Sequence, residues 1–540
     1  MFFTTSSPQA DRKMLSAEDF RRHARRSGGV DRRLFMAFVG SLTAAPLVRA
    51  ADLIGSRSPL GDNPFQLGVA SGDPDASSVL LWTRLAPQPL KPAGGMKPEP
   101  VQVRWEIAED DKFAKVVNKG RVTATPQLGH SVHVAADGLQ PDRWYHYRFM
   151  VGDEVSPVGR TRTTPAAHVT PDRFKFAFAS CQHYESGHYA AYRHMAEQDL
   201  DMVVHLGDYI YEGKAGNDGV RRHVGKEIES LDDYRIRHAL YRSDPLLQAM
   251  HQQCPWMVTW DDHEFDNNYA GAISEKHGVD PIEFLIRRAN SYQAYYEAMP
   301  LRRRSLPTGP DMRLYRKLSF GNLADMLVLD TRQYRSDQPN DDRGHAINDD
   351  CRSPDATMLG QSQRQWLESS LLQSQSTWNV LAQQVMMGTV DHQKGEKQEF
   401  AMDQWAGYLH ERNGLMSFLA ERRVPNPVVI TGDIHSNWVN DLRVDDFDAG
   451  APVVATEFVG TSISSGGNGP KDSKAMEQLQ RENACVKFHD RQRGYVACEL
   501  NADEWRSDYF VVDDVTQADS KVEKLATFAV AAGRPGAERA

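Results

Sequence analysis

Four apolar runs in this chain stop abruptly at residues that bind metal ions. Phe174–Gln182 reads FKFAFASCQ, Asp201–Glu212 reads DMVVHLGDYIYE, Trp256–Asn268 reads WMVTWDDHEFDNN and Pro427–Ser436 reads PVVITGDIHS. Together they offer Cys181, Asp208, Tyr211, Asp261, Asp262, His263, Asn267, Asn268, Asp433 and His435. Asp208 follows Gly207, which lets the backbone turn tightly and expose the carboxylate. A carboxylate has two oxygens, so it can bridge two cations. Tyr211 lies three residues on; a phenolate is a hard anionic ligand suited to a trivalent ion such as Fe3+. Asp433 and His435 alternate along one strand end and can point toward neighbouring metals. In WDDHE, Asp262 can ligate while His263 donates a proton to a leaving oxygen. Cys181 as a thiolate favours a transition metal; read alone, it is an inert buried thiol.

Short apolar runs of this kind are the mark of buried parallel strands, and ligands gather outside the carboxyl ends of such strands. Four in one chain predict a shared site with more than one metal ion. From Phe174 to about Val512, apolar strands alternate with helical stretches such as LDDYRIRHALYRSDPLLQAMHQ and GQSQRQWLESSLLQS. This predicts an α/β domain with a layered sheet or sandwich. Tyr292, Tyr295 and Tyr296 sit at helical spacing and are expected in its core. From Pro64 to about Thr164 the chain reads as all-β, with SSVLLWTRL, VQVRWEIA, HSVHVAA and RWYHYRFMV as strands. LQPDRWYHYRF is similar to the corner of a fibronectin type III-like sandwich, where a Tyr braces the turn. No ligand cluster falls there, so a structural or partner-contacting role is expected. Residues 160–173 read as a linker, and the tail from Gly533 is expected to fray.

Composition is that of a folded globular protein: 540 residues, 40% hydrophobic and 25% charged. Residues 1–50 hold nine basic and four acidic residues, which leaves the rest of the chain at a net charge of −15. An acidic body argues against a nucleic-acid recognition role. The basic run Arg302–Arg304 is expected to be a solvated loop. Arg32-Arg33-Leu34-Phe35, an apolar stretch and the small-x-small end Val48-Arg49-Ala50 form a twin-arginine signal peptide over 1–50. The apolar run is shorter than a ~20-residue span, so no permanent membrane span is expected. The expected partner is the twin-arginine export machinery and the expected location periplasmic or extracellular. Of five cysteines, Cys485 and Cys498 flank a possible hairpin; a local disulfide and buried free thiols are equally compatible with the sequence.

The order of these motifs resembles the calcineurin-like metallophosphatase layout, with informative departures. Cys181 stands in place of a first Asp-x-His pair, Asp262-His263 in place of Asn-His, and Gly432-Asp433-Ile434-His435 in place of Gly-His-x-His. With Tyr211 added, the set resembles the PhoD family of alkaline phosphatases and phosphodiesterases. The likeness extends through SGDP (Ser71–Pro74), SCQ, HLGDYIYE, WDDHE, LDTRQYR, TGDIHS and FHDRQRGYV. It implies an α/β layered metallophosphatase sandwich with an N-terminal all-β fibronectin type III-like domain. The implied divisions are 1–50 signal peptide, 60–165 β-sandwich, 172–515 catalytic domain and 516–540 C-terminal segment.

The resemblance also implies Fe3+ and Ca2+. Cys181, Asp208, Tyr211 and His435 match iron ligands, Asp208 bridges, and Asp262 and Asp433 match calcium donors, with Asp261 and Asn267 as further candidates. His263 is the implied catalytic acid. Arg332 of LDTRQYR either holds the phosphate bidentately or makes a structural salt bridge. Met402–Tyr408 is similar to a family segment, but Ala406 stands where an acidic residue is expected. The implied activity is hydrolysis of phosphate monoesters and diesters at alkaline pH, releasing phosphate for scavenging. A phospholipase D-like phosphodiesterase is the alternative, and a secreted binding protein with a structural metal site the reading from another class.

Overall fold

The computed structural model describes residues 63–471 and 473–540, so the twin-arginine segment lies outside the described residues. Two large sheets pack face to face. The first has ten strands, in the order Arg534–Arg539, Val522–Ala531, Glu504–Val512, Gly494–Leu500, Phe174–Ala179, Met202–His205, Trp256–Val258, Val69–Gly72, Ser78–Arg84 and Ser131–Asp137. The second has seven: Arg316–Phe320, Ala324–Val328, Trp378–Ala382, Pro427–Thr431, Val453–Val459, Asn437–Arg443 and Val486–Asp490. The centre of each sheet is parallel, with Val203 opposite Ala177 and Trp256 in one and Val429 opposite Leu381 and Glu457 in the other.

Strand periodicity explains the uninterrupted apolar runs. Side chains alternate between faces. Phe176 and Phe178 point into the core between the sheets, where they join Met326, Val380, Ile430 and Phe458. Ala177 and Ala179 point the other way, into a second core with Tyr192, Tyr292 and Tyr295. Both faces are covered, so both alternating sets are apolar. The outer layers are helices. Leu231–Arg242 starts at a Ser230/Asp233 capping box. Pro245–Gln253 and Pro281–Ala298 each start with Pro after a capping Asp, Asp244 and Asp280. Gly360–Gln373 and Leu409–Glu421 cover the second sheet. The result is the α/β layered arrangement expected.

The N-terminal β region departs from an independent sandwich. Val116–Ala124, Val101–Ala108 and Trp144–Val151 form a separate sheet with the two short strands Glu154–Val155 and Gly159–Arg162. The strands facing it belong to the ten-stranded sheet, joined where Gly72 lies parallel to Trp256. A Cβ on Gly72 would sit 2.6 Å from the carbonyls of Pro300 and Trp256, so the junction needs glycine. Arg302–Arg304 is not simply a solvated loop. Arg302 donates to the Asp73 carbonyl and to Asp75, clamping the junction, while Arg304 remains more than half exposed.

The tail is not frayed. Gly533, at φ 75°, turns the chain so that Arg534–Arg539 pairs with Val522–Ala531. Residues 516–540 therefore complete the edge of the large sheet. Cys485 and Cys498 do not flank a hairpin: the strands after and around them, Val486–Asp490 and Gly494–Leu500, lie in different sheets. All five cysteines are free and buried, which removes the disulfide alternative. Among the described residues, no helix is long and apolar enough to cross a membrane.

Candidate metal centre

Three adjacent parallel strands of one sheet and one strand of the other end at the same place. Phe174–Ala179 leads to Cys181, Met202–His205 to Asp208 and Tyr211, Trp256–Val258 to Asp261–His263, and Pro427–Thr431 to Asp433 and His435. Ser180 bridges to Ser462 across the sheet boundary. Cys181, Asp208, Asp433 and His435 all adopt left-handed backbone, at φ of 58°, 56°, 64° and 55°. For non-glycine residues this conformation costs about 1–2 kcal/mol each. Such strain persists where the surrounding structure over-determines it, and it concentrates at functional sites. Gly207 has φ 114°, and a Cβ there would lie 2.4 Å from the Asp261 Cβ. Only glycine lets the two acidic loops approach so closely.

The side chains gather into three overlapping groups, each with donor atoms within 4.8 Å of one another: Cys181–Asp208–His435, Asp208–Asp262–His263 and Asp261–Asp262–Asp433. Asp208 and Asp262 belong to two groups each. Tyr211 joins the first: its hydroxyl donates to Asp208 Oδ2 at 2.7 Å and lies 3.3 Å from His435 Nε2. Cys181, Asp208, Asp261 and Asp262 are buried, whereas His263, Asp433 and His435 are half-buried and form the open side. Asn267 is turned aside, its amide donated to Glu275 at 2.8 Å.

Electrostatics mark the place as one built for cations. Burial pushes the Asp208 carboxyl well above its ordinary range, and Asp262 and Asp261 add to it. Burial raises Asp433 to about 7. The Cys181 thiol is raised by burial and by Asp208 beside it. Asp208 Oδ1 and Asp261 Oδ2 are buried with no hydrogen-bond partner. Multivalent ions reverse this local pKa logic, giving unpaired oxygens a partner and deprotonating thiols outright. The donor set thus fits metal ions.

Arg332 is fully buried, and its guanidinium is ringed by carboxylates. Nε contacts Asp261 Oδ1, one terminal nitrogen lies 2.8 and 2.9 Å from the Asp403 oxygens, and the other lies 3.1 Å from Asp433 Oδ1. Of the two roles open to it, this is the geometry of a salt bridge.

The match to known proteins is consistent with this arrangement. The family model described as PhoD-like phosphatase matches residues 176–509, and that of its N-terminal domain matches 50–165. The chain belongs to the PhoD-like phosphatase family. It is 48% identical over 512 residues to alkaline phosphatase D of Bacillus subtilis (strain 168), covering 92% of this chain and 87% of that protein. It is also similar to a solved structure of PhoD, with a TM-score of 0.86 and 48% identity over 89% of this chain and 92% of that one.

Four residues of this PhoD-like site were not singled out from the sequence. Glu264, raised to about 7 by burial, accepts the backbone N–H groups of Asp208 at 3.0 Å, Tyr209 at 2.5 Å and Asp261 at 2.9 Å. It ties the first acidic loop to the second. Glu212 Oε2 lies 2.7 Å from His263 Nδ1. Ser465 donates to the Tyr211 hydroxyl at 2.7 Å. Asp403 joins Arg332 to Arg335. The signal for Glu212 and Glu264 was present in the charge-rich motifs, but nothing local says which carboxylate turns inward. Ser465 and Asp403 sit in segments with no ligand pattern of their own.

Proposed function

We propose that this chain is a metal-dependent phosphoric ester hydrolase, an alkaline phosphatase acting on monoesters and also on diesters. The observation that carries this is the sharing of Asp208 and Asp262 among three donor groups beside a half-exposed histidine. Family membership supports the same chemistry. In this reading Cys181, Asp208, Tyr211 and His435 hold Fe3+, a hard ion for the phenolate and carboxylate. Asp208, Asp262 and Asp433 hold Ca2+ through oxygen. When bound, such ions offset phosphate charge and act as Lewis acids on the phosphoryl group.

The protein's own groups do the rest. His263 stands on the open side with Nδ1 held by Glu212. Burial alone would lower its pKa, but Glu212, hydrogen-bonded to Nδ1, raises it. A protonated imidazole there can give a proton to the leaving oxygen. Arg332 holds Asp261, Asp403 and Asp433 in place through its guanidinium. Glu264 positions the loop that carries Asp208.

The twin-arginine segment supports export of the folded protein by the twin-arginine machinery to the periplasm or the exterior, where released phosphate would be scavenged. The Tyr145 hydroxyl, which accepts the Gln140 N–H at 3.0 Å, supports a fibronectin type III-like corner in the β region. The test combines metal analysis with turnover of p-nitrophenyl phosphate and bis-p-nitrophenyl phosphate. Iron, calcium and alkaline turnover are expected. Metal-replete protein inert toward both esters would overturn the reading.

A further inference from the structure

Next to the Tyr211 side of the site, and sharing no ligand with it, lies a separate group of donors. His183, Glu185 and His223 present ligand atoms within 4.8 Å of one another. Glu185 and His223 are 7% and 4% exposed, while His183 is half-buried and leaves an open side. His223 Nδ1 is buried with no hydrogen-bond partner, and the nearest carboxylate oxygen, Glu185 Oε2, stands 3.6 Å away. That is too long for a hydrogen bond. It is close to the separation of two ligands on one small tetrahedral ion, whose metal–ligand bonds are about 2.0–2.2 Å.

The surroundings hold the three in position. The other nitrogen of His223, Nε2, lies 2.9 Å from the Tyr241 hydroxyl. With its proton given to that oxygen, Nδ1 carries a lone pair pointing at the cluster, the usual outer support of a metal-bound imidazole. Ser186 Oγ lies 2.7 Å from His183 Nδ1 and orients the second ring. Glu185 accepts the backbone N–H of Gly216 at 3.0 Å and of His223 at 2.8 Å, so the acid is anchored to the loop that carries His223.

We propose that His183, Glu185 and His223 form a second metal site for a borderline transition-metal dication of the Zn2+ type. Two imidazoles and one carboxylate are the His2Glu set, in which a fourth position stays open to water. The set has too few oxygens for Ca2+. Its ion would tie the loop of residues 213–223 to the Cys181 loop, because His183 is two residues from Cys181 and its ring meets Tyr211 edge-on at 4.6 Å. The main site keeps its own ligands.

Zinc-edge anomalous diffraction from the whole wild-type protein crystallised with Zn2+ tests this directly. A peak enclosed by His183, Glu185 and His223 is expected. Elemental analysis of His223→Gln and Glu185→Gln should show one zinc fewer per chain than wild type, with iron and calcium unchanged. No peak in the zinc-grown crystals, or the same zinc count in either folded variant, overturns the proposal and leaves a hydrogen-bonded brace. If both variants misfold, the wild-type map decides alone. Iron and calcium counted in the same samples keep this outcome separate from that of the main site.

Discussion

His263 Nδ1 lies 2.7 Å from Glu212 Oε2, and the two residues come from different strand ends. The pair fixes which ring nitrogen faces the opening and, against the burial that would lower it, raises the pKa of the imidazolium. Glu212→Gln removes the charge and keeps the shape. The His263 pKa should fall, so the alkaline limb of turnover should move to lower pH. A positioned general acid contributes about 10²–10⁴-fold. The loss should therefore be larger for alkyl phosphates, whose leaving oxygen needs a proton, than for p-nitrophenyl phosphate. Equal losses on both substrates with an unmoved limb would rule out the acid role.

Asp208 is shared by two donor groups, so Asp208→Ala should release metal from both. Turnover should drop by on the order of 10³-fold or more, the scale of several kcal/mol of lost charge stabilisation. Tyr211→Phe should instead abolish any visible tyrosinate-to-iron band while leaving calcium in place. Retained turnover in Asp208→Ala would sink the ligand assignment.

Glu264 accepts three backbone N–H groups in a buried position. Glu264→Gln leaves one side-chain oxygen where two accepted, and its amide meets donors. Each unsatisfied buried group costs about 1–3 kcal/mol. A lower melting temperature and weaker metal retention are expected, both measurable by calorimetry and elemental analysis. Wild-type melting with normal metal content would show that the loops are held by other contacts.

His133 packs on Tyr296 and donates Nε2–H to the carbonyls of Tyr296 and Met299, 3.0 and 3.1 Å away. Burial lowers its pKa to about 4 in the folded protein. The unfolded value is about 6.5. Because the folded pKa is depressed, the unfolded chain takes up the proton first. Stability from this group is full above about pH 6.5 and is lost as pH falls toward 4. Melting temperature should decline through that window, and His133→Gln should decline less steeply. Parallel curves for the two proteins would exclude His133 as a source of acid sensitivity.

Much of the site was legible in the chain. Cys181, Asp208, Asp262, Asp433 and His435 could be picked out because strand ends are local: an apolar run that stops at a ligand needs no knowledge of its neighbours. The run LDDYRIRHALYRSDPLLQAMHQ read as helical, but the chain breaks it in two, with Asp244 capping the second helix, Pro245–Gln253. Pairing between distant segments was not legible. Which sheet takes Val69–Gly72, where Arg534–Arg539 docks and why Cys485 and Cys498 stay apart depend on strand order, and strand order is set by burial summed over the whole core. The same holds for charge. Arg332 reads identically as a phosphate clamp or a salt bridge until carboxylates from three separate loops, Asp261, Asp403 and Asp433, converge on it. Glu264 is one of four ionisable residues in a row until the backbone turns it toward three N–H groups. Residue type and spacing determined the chemistry available; the tertiary structure decided which groups share a low-dielectric space, and there proximity sets both charge state and role.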